Sequence, residues 1–400
     1  MSVDTAARPR TASEPTTTGP DAATLYARAQ GFQPRIAELA PAMEKAGRLD
    51  DALVADLDAA GLASVLVSKH WGGSGLGFVE AAHVLRLLAQ ADVSTAWVIN
   101  NYMLNSLILS RFPMRAQERI FAAKPSHLCA GNLTPSGEAT RVPGGFHLNG
   151  RWGYASGMWH AEGALFPAML GGAVHFFLMP MEGLELLDDW DVSAMGASGS
   201  ITVTARDIFV PEDYALPMAN LLTADQHDGV LHAEKVHSYP FTRAAVLTAA
   251  LAVGALDTAV ACARERLASS KPFGTARMDM APSRIRWADA AQTLRQITLL
   301  HHDVLATTEE RGNRLHDWAI PEVGQLMLDN VTIYHRAKDA LRLLEDSFGS
   351  STYRNGDVIG RMARDIAMIC THLTIADWDV MWEKAARMVL GVPLARHEFY

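Results

Sequence analysis

The stretch that decides the fold is Leu49–Gly77, which reads LDDALVADLDAAGLASVLVSKHWGGSGLG. Apolar residues recur at helical spacing over Leu49–Ala60, and again over Phe78–Leu88. Between these segments lies the glycine-rich run His70–Gly77, and glycines permit positive φ and a tight path between helices. We therefore expect two helices joined by a tight loop, within a helical region that runs from residue 21 to about residue 123.

The pattern changes near Ser126, where short β-like runs separated by turns begin and continue to about Pro217. Apolar and polar residues alternate clearly in Ile201–Thr204, and Pro-Gly-Gly and Gly-Gly sequences separate the runs. The segment predicts a small antiparallel β domain. Its candidate strands are His127–Leu133, Gly145–Leu148, Gly163–Leu170, Ala173–Met179 and Ile201–Val210.

Long helical patterns return from about Tyr239 to Leu390. Four amphipathic helices with short connections predict an antiparallel bundle, with the fourth helix open to a break. The candidate helices are Phe241–Ser269, Pro282–Arg311, Pro321–Phe348 and Gly356–Leu390. The predicted class is α+β, mainly α. Its predicted parts are a flexible tail (1–22), an N-terminal helical domain (23–125), a central β domain (126–220) and a C-terminal bundle (235–400).

The composition restricts the classes of partner. Hydrophobic residues make up 49% of the 400 residues and charged residues 20%, as in a globular protein with a large core. A net charge of -9 argues against nucleic acid, since phosphate binding needs clustered Lys and Arg. The three cysteines lack CxxC spacing, which favours a reduced, cytoplasmic location. We expect no signal peptide and no membrane span, because neither apolar pattern is evident.

Four motifs in chain order resemble the acyl-CoA dehydrogenase fold. They are Leu49–Gly77, the strand pair GGFHLNGRWGYASG at Gly144–Gly157, the strand Asp191–Pro211 ending in "VP", and RMARD at Arg361–Asp365. The resemblance covers roughly residues 25 to 390. It implies a helical domain, a β domain and a four-helix bundle, and it also implies a homotetramer.

Within this fold the sequence resembles the two-component flavin-dependent monooxygenases of the p-hydroxyphenylacetate hydroxylase type. Dehydrogenases of the fold commonly place a catalytic Glu shortly after the "RD" pair, but no Glu or Asp lies between Asp365 and Asp377 here, and His372 occupies this region. STAWV at Ser94–Val98 and the strand ending at Gly157 also resemble the monooxygenases. An acyl-CoA dehydrogenase-like enzyme with another base, and a non-catalytic scaffold, remain alternatives.

The resemblance implies that reduced FMN or FAD comes from a separate flavin reductase and reacts with O₂. The resulting flavin C4a-(hydro)peroxide hydroxylates an aromatic or polycyclic small molecule, or oxidises its N or S atom. The sequence has no GxGxxG fingerprint, so we expect no tightly bound nicotinamide cofactor.

Three residues are the predicted catalytic groups. The resemblance places Ser156 beside flavin N5, where a hydroxyl can donate or accept a hydrogen bond. His372 is suited to deprotonate the substrate or to form a hydrogen bond with the peroxide. The amide of Asn132 is suited to bind substrate or peroxide oxygen. The structural alternatives are a turn serine before Gly157, a histidine on a bundle helix and a strand-end asparagine.

Further candidates follow from the same resemblance. The predicted flavin-binding residues are Trp97, Thr134, Ser156, Lys271 and Arg277. The predicted substrate-binding residues are Asn101, Asn105, Trp159 and His160. No metal is expected, because the pairs His301-His302 and Glu309-Glu310 lie on one helix and are interpreted as solvated or interface residues.

Overall fold

The computed structural model describes residues 19–222, 244–312 and 318–394. The N-terminal region is helical, as predicted, and the predicted tail lies largely outside the described residues. Asp50 begins the second helix by accepting a hydrogen bond from the Leu53 N–H at 2.8 Å. The helices are α1 (Ala22–Ala46), α2 (Asp51–Ala59), α3 (Phe78–Ala91), α4 (Val93–Leu109) and α5 (Met114–Ile120).

The glycine-rich loop after α2 is tight, as its sequence predicts. Gly72 and Gly75 have positive φ values of 81° and 55°. Gly73 lies so close to the preceding chain that a Cβ atom there would come within 2.2 Å of the Val67 carbonyl oxygen. Glycine is therefore required at position 73 by close packing, and the loop leads the chain directly into α3.

The central region forms one eight-stranded sheet. The prediction of an antiparallel domain needs correction in one respect: the sheet is mixed, since β4 pairs in parallel with both β1 and β2. The other strand pairs are antiparallel, and the order is β6-β7-β3-β2-β4-β5-β8 with β1 beside β4. The strands are β1 (Cys129–Gly131), β2 (Gly137–Val142), β3 (Gly145–Ala155), β4 (Gly163–Leu170), β5 (Ala173–Pro180), β6 (Glu185–Leu187), β7 (Ile201–Pro211) and β8 (Ala215–Pro217).

The C-terminal region is the predicted bundle, and its fourth helix is broken. The segment between α10 and a π-helical turn at Trp378–Trp382 interrupts that helix. The predicted start at Phe241 lies outside the described residues, and α7 begins at Ala245. The helices are α6 (Ala219–Leu222), α7 (Ala245–Ser269), α8 (Ala281–Gly312), α9 (Ile320–Phe348), α10 (Val358–Ile369) and α11 (Glu383–Leu390).

Helix α7 is long and apolar enough to span a membrane by length and composition, which the sequence analysis did not anticipate. Most of this apolar stretch is buried, and the helix packs against α3, α8, α9 and α10. Its apolar character is thus used in the protein core.

The histidine pair on α8 also needs correction. His301 is buried, not solvated, and its Nε2 lies 3.0 Å from the Val246 carbonyl oxygen. In the described residues, no group of three His, Cys, Asp or Glu side chains is placed to hold a metal ion.

Candidate active site

Helix α4 carries the first part of the site. Its N-terminus is fixed by Asp92, whose carboxylate accepts hydrogen bonds from the backbone N–H and the hydroxyl of Thr95, each at 2.8 Å. One turn further on, the Trp97 indole Nε1 donates to the Ser156 hydroxyl at 2.9 Å. The predicted pair of Trp97 and Ser156 is therefore in direct contact, although the two residues lie 59 positions apart.

Ser156 follows an irregularity at the end of β3. The pairing of β3 with β7 shifts between Trp152 and Ala155, and Tyr154 has a positive φ of 59°. Bulges of this kind redirect the next side chain. The chain then packs closely on α4, since the Tyr102 hydroxyl donates to the Gly157 carbonyl oxygen at 2.7 Å. This packing leaves the Ser156 hydroxyl against Trp97.

A chain of buried hydroxyls continues from Ser156. Its Oγ lies 2.7 Å from the Oγ of Ser200, which lies 2.7 Å from the Oγ of Ser198. All three side chains are buried. Because Trp97 Nε1 can only donate, Ser156 accepts from it, and after its bond to Ser200 the hydroxyl has capacity for one further hydrogen bond.

The turn that carries Ser198 and Ser200 is held by α10. The Asp365 carboxylate accepts a hydrogen bond from the Met195 N–H at 2.5 Å, and Met195 has a positive φ of 55°. Burial, together with the nearby Asp92, raises the pKa of Asp365 to about 7, although the Met195 N–H and Arg361 oppose the shift. Asp365, the last residue of the RMARD motif, therefore stabilises the turn that carries Ser198 and Ser200.

His372 lies in the segment between α10 and the π-helical turn. Its ring centroid is 5.6 Å from that of Trp97, with the planes at 61°. The side chain is solvent-accessible, yet desolvation by surrounding protein lowers its pKa to about 4. Near neutral pH the imidazole is therefore uncharged.

Asn132 lies beside the same end of β3. Its Nδ2 donates to the Gly153 carbonyl oxygen at 2.8 Å, and its Oδ1 accepts from the Thr134 N–H at 3.2 Å. The amide thus closes a turn after β1, while one N–H and one lone pair remain for a ligand. Thr134 itself is exposed.

The four predicted substrate residues divide into two groups. Asn101 and Asn105 lie on α4 with Trp97: Asn101 donates to the Trp97 carbonyl oxygen at 2.8 Å, and Asn105 donates to that of Cys129 at 2.7 Å. Trp159 packs against Gly199, where a Cβ atom would come within 2.9 Å of the indole. His160 instead contacts Asp51 of α2, at 3.0 Å from Nε2 to the carboxylate.

The predicted phosphate-binding residues lie after α7. Lys271 is exposed. The Arg277 Nε donates to the Ser270 hydroxyl at 3.3 Å, and its guanidinium lies 5.5 Å from the centroid of the Phe348 ring. None of these contacts joins the segment to the Trp97–Ser156–His372 cluster.

The sequence analysis missed Ser198 and Ser200. The run Gly196–Ser200 contains small, turn-forming residues, which predicts a turn. Nothing in that composition indicates that the hydroxyls meet Ser156, because the contact depends on how β7 pairs with β3.

Comparison with known families agrees with this architecture. The chain matches the family model for the acyl-CoA dehydrogenase N-terminal domain over residues 24–124. It matches the model for the C-terminal domain over residues 244–377, so that the two matches together cover more than half of the chain. The chain therefore belongs to the acyl-CoA dehydrogenase family, as the sequence motifs predict.

Individual relatives in this family are named as hydroxylases and monooxygenases. A "Pigment production hydroxylase" of Rhodococcus sp. is 28% identical over 385 residues, which is 93% of this chain and 97% of the relative. The "Flavin-dependent monooxygenase, oxygenase subunit HsaA" of Mycobacterium tuberculosis is 32% identical over 196 residues, which is 48% of this chain and 50% of the relative's length. The structure of XiaF from Streptomyces sp. in complex with FADH2 and glycerol superposes with a TM-score of 0.87. It has 24% identity and covers 93% of this chain and 96% of the other, so it supports the fold.

Proposed function

We propose that the chain is the oxygenase component of a two-component flavin-dependent monooxygenase that hydroxylates an aromatic small molecule. The carrying observation is that Trp97, Ser156 and His372 meet, although they come from α4, the end of β3 and the segment after α10. The relatives named hydroxylase and monooxygenase oxygenase subunit support the assignment. Oxidation of an N or S atom in the substrate belongs to the same proposal.

The polar groups at the site fit a reduced flavin. Ser156 has donor and acceptor capacity beyond its bond to Trp97, as the N5 position of a flavin requires. The bound flavin, FMN or FAD, supplies the activation of O₂ and the transfer of one oxygen atom. Ser156 would hold N5, Trp97 would orient Ser156, and Asn132 with Thr134 would contact the flavin or the substrate.

His372 would act on the substrate. Its lowered pKa keeps the imidazole neutral near pH 7, so it can donate a hydrogen bond to the substrate without placing a positive charge beside it. Asn101 and Asn105 on α4, and Trp159 beside Gly199, would form further parts of the substrate cavity. His160 would then act at its edge, through Asp51.

The structure gives a reason against the dehydrogenase alternative. The two carboxylates nearest to His372 in sequence are both engaged: Asp365 with the Met195 N–H, and Asp377 with the Val380 N–H at 2.8 Å. These structural contacts disfavour both carboxylates as the base that would abstract an α-proton from a substrate. The alternative would need a base from another part of the fold.

The flavin phosphate and the assembly complete the proposal. Lys271 and Arg277 would bind phosphate, since both carry a positive charge in the segment after α7. Exposed apolar side chains at the C-terminal end, Leu373, Trp378 and Leu390, would be covered in a homotetramer. A cytoplasmic flavin reductase would deliver the reduced flavin.

The test is turnover with reduced FMN and reduced FAD against a panel of phenols, indoles, polyketides and amines. We expect O₂ consumption and hydroxylated product only with reduced flavin. Ser156→Ala and His372→Ala should lower product yield at least about tenfold, whereas the exposed control variants Ser269→Ala and His302→Ala should not. A chain that instead holds stoichiometric oxidised FAD and reduces an acceptor dye with an acyl-CoA would contradict the proposal.

A further inference from the structure

The segment that carries His372 is firmly held, although it interrupts a helix. The N–H groups of Ile375, Ala376 and Asp377 all lie within 3.1 Å of the His372 carbonyl oxygen. Helix α9 fixes the segment from the other side: the Asn330 Nδ2 donates to the Ile375 carbonyl oxygen at 3.1 Å. The backbone that carries the His372 imidazole is therefore fixed by hydrogen bonds.

Thr374 makes two contacts with one nitrogen of the His372 ring. Its backbone N lies 3.4 Å from Nδ1, and its hydroxyl oxygen lies 3.3 Å from the same atom. A backbone N–H can only donate, so Nδ1 must accept. A neutral imidazole that accepts at Nδ1 carries its proton on Nε2.

The opposite tautomer is disfavoured by the same geometry. A proton on Nδ1 would face the Thr374 N–H, and two donors would oppose each other at 3.4 Å. The Thr374 hydroxyl could rotate to accept that proton, but the backbone N–H could not. The discriminating group is thus the main-chain amide of residue 374, and Nε2 has no hydrogen-bond partner among the described residues.

We propose that Thr374 is a positioning residue that holds His372 in the Nε2–H tautomer, so that His372 presents a hydrogen-bond donor to the substrate. The tautomer assignment rests on these contacts alone. That the molecule facing Nε2 is the substrate rests on the proposed function. The consequence is a preference for a substrate that offers an acceptor at this point, such as a phenolate or keto oxygen. An amine that offers only N–H at the same point would meet a second donor.

The experiment measures the two ring ¹⁵N resonances of His372 in the flavin-free protein, labelled with ¹⁵N-histidine and assigned by their loss in His372→Gln. We expect a protonated Nε2 and an unprotonated Nδ1 in the wild type and in Thr374→Val, which keeps the backbone N–H. Thr374→Pro removes that N–H and should move the tautomer ratio by at least about fivefold towards Nδ1–H, the equivalent of one ordinary hydrogen bond. Thr371→Val, three positions before Thr374 with its hydroxyl on the Met368 carbonyl oxygen, is the matched control and should change nothing.

A wild-type protein in which Nδ1 carries the proton overturns the proposal, whether or not Thr374→Pro folds. An unchanged ratio in folded Thr374→Pro overturns the role of Thr374. Because no flavin is present in this measurement, failure of oxygenase turnover would refute the proposed function and leave the tautomer assignment standing. In turnover, a phenol should outperform its aniline analogue in the wild type, and the ratio of their kcat/KM values should fall in Thr374→Pro.

Discussion

Replacement of Asp365 by alanine is the most informative single change outside the cluster of Trp97, Ser156 and His372. The carboxylate is buried and accepts the Met195 N–H at 2.5 Å, at a residue whose φ of 55° is unfavourable without such support. Met195 begins the turn that places Ser198 and Ser200 next to Ser156. The Asp365→Ala variant therefore tests whether α10 holds the hydroxyl chain in place.

The magnitude follows from the group that is left without a partner. A buried N–H that loses its acceptor costs about 1–3 kcal/mol of unfolding free energy. Asp365→Asn keeps an acceptor oxygen of the same shape and should cost less than about 1 kcal/mol. The pKa of Asp365 is raised to about 7, so the folded state retains the proton in a range where the unfolded state has lost it. The stability that this group contributes is present at low pH and is lost as pH rises towards 7. The unfolding free energy of Asp365→Asn relative to wild type should therefore be higher at pH 8 than at pH 5.

Urea unfolding followed by tryptophan fluorescence measures this, at fixed protein concentration and at both pH values. Flavin affinity, measured separately by titration, should fall in Asp365→Ala and remain near wild type in Asp365→Asn. The reasoning is refuted if Ala lies within about 0.5 kcal/mol of wild type, or if Asn is as destabilising as Ala.

Three further changes have defined outcomes. Trp97→Phe keeps a ring but removes the donor to Ser156, so it should cost about 0.5–1.5 kcal/mol and divert O₂ from product to H₂O₂, as a peroxide assay would show; an unchanged product yield would argue against the role of this bond. Tyr154→Gly relieves a positive φ at a side chain that is 71% exposed, and net of the glycine entropy it should raise the unfolding free energy in urea by about 0.5–1 kcal/mol; a less stable variant would contradict the strain at this position. Burial lowers the pKa of His301 from 6.5 to about 4, so the unfolded state takes up the proton first and stability falls as pH drops from 6.5 towards 4. His301→Gln should flatten that dependence by up to about 3 kcal/mol, and an unchanged slope in acid unfolding curves would contradict the assignment.

The helical parts of the fold were predictable from local patterns. The apolar spacing and the glycine loop of Leu49–Gly77 identified two helices and their connection, because both features act within a few residues. The break in the fourth bundle helix was anticipated, but its position was not. The parallel pairs of β4 with β1 and β2 could not be read from alternation, since alternation reports which face is buried and not which strand lies beside it.

The proximity of the candidate site residues was predictable where a motif gave a residue a place in the fold. Ser156 and His372 were identified in this way, and the structure brings both to Trp97. Ser200 and Thr374 were missed for physical reasons. Ser200 depends on the β3–β7 register, and the Thr374 contact depends on a non-helical backbone path that helical periodicity does not describe.

The buried guanidinium of Arg361, on α10, interacts electrostatically with both Asp92 and Asp365. Asp92, at the start of α4, lies 3.5 Å from the Arg361 Nε on α10. One turn further along α10, Asp365 holds the turn of Ser198 and Ser200. Helix α10 therefore contacts both parts of the arrangement: Arg361 lies beside Asp92, which caps the helix of Trp97, and Asp365 fixes the partners of Ser156. That helix ends at Ile369, just before His372. A movement of α10 would therefore displace Trp97, Ser156 and His372 together.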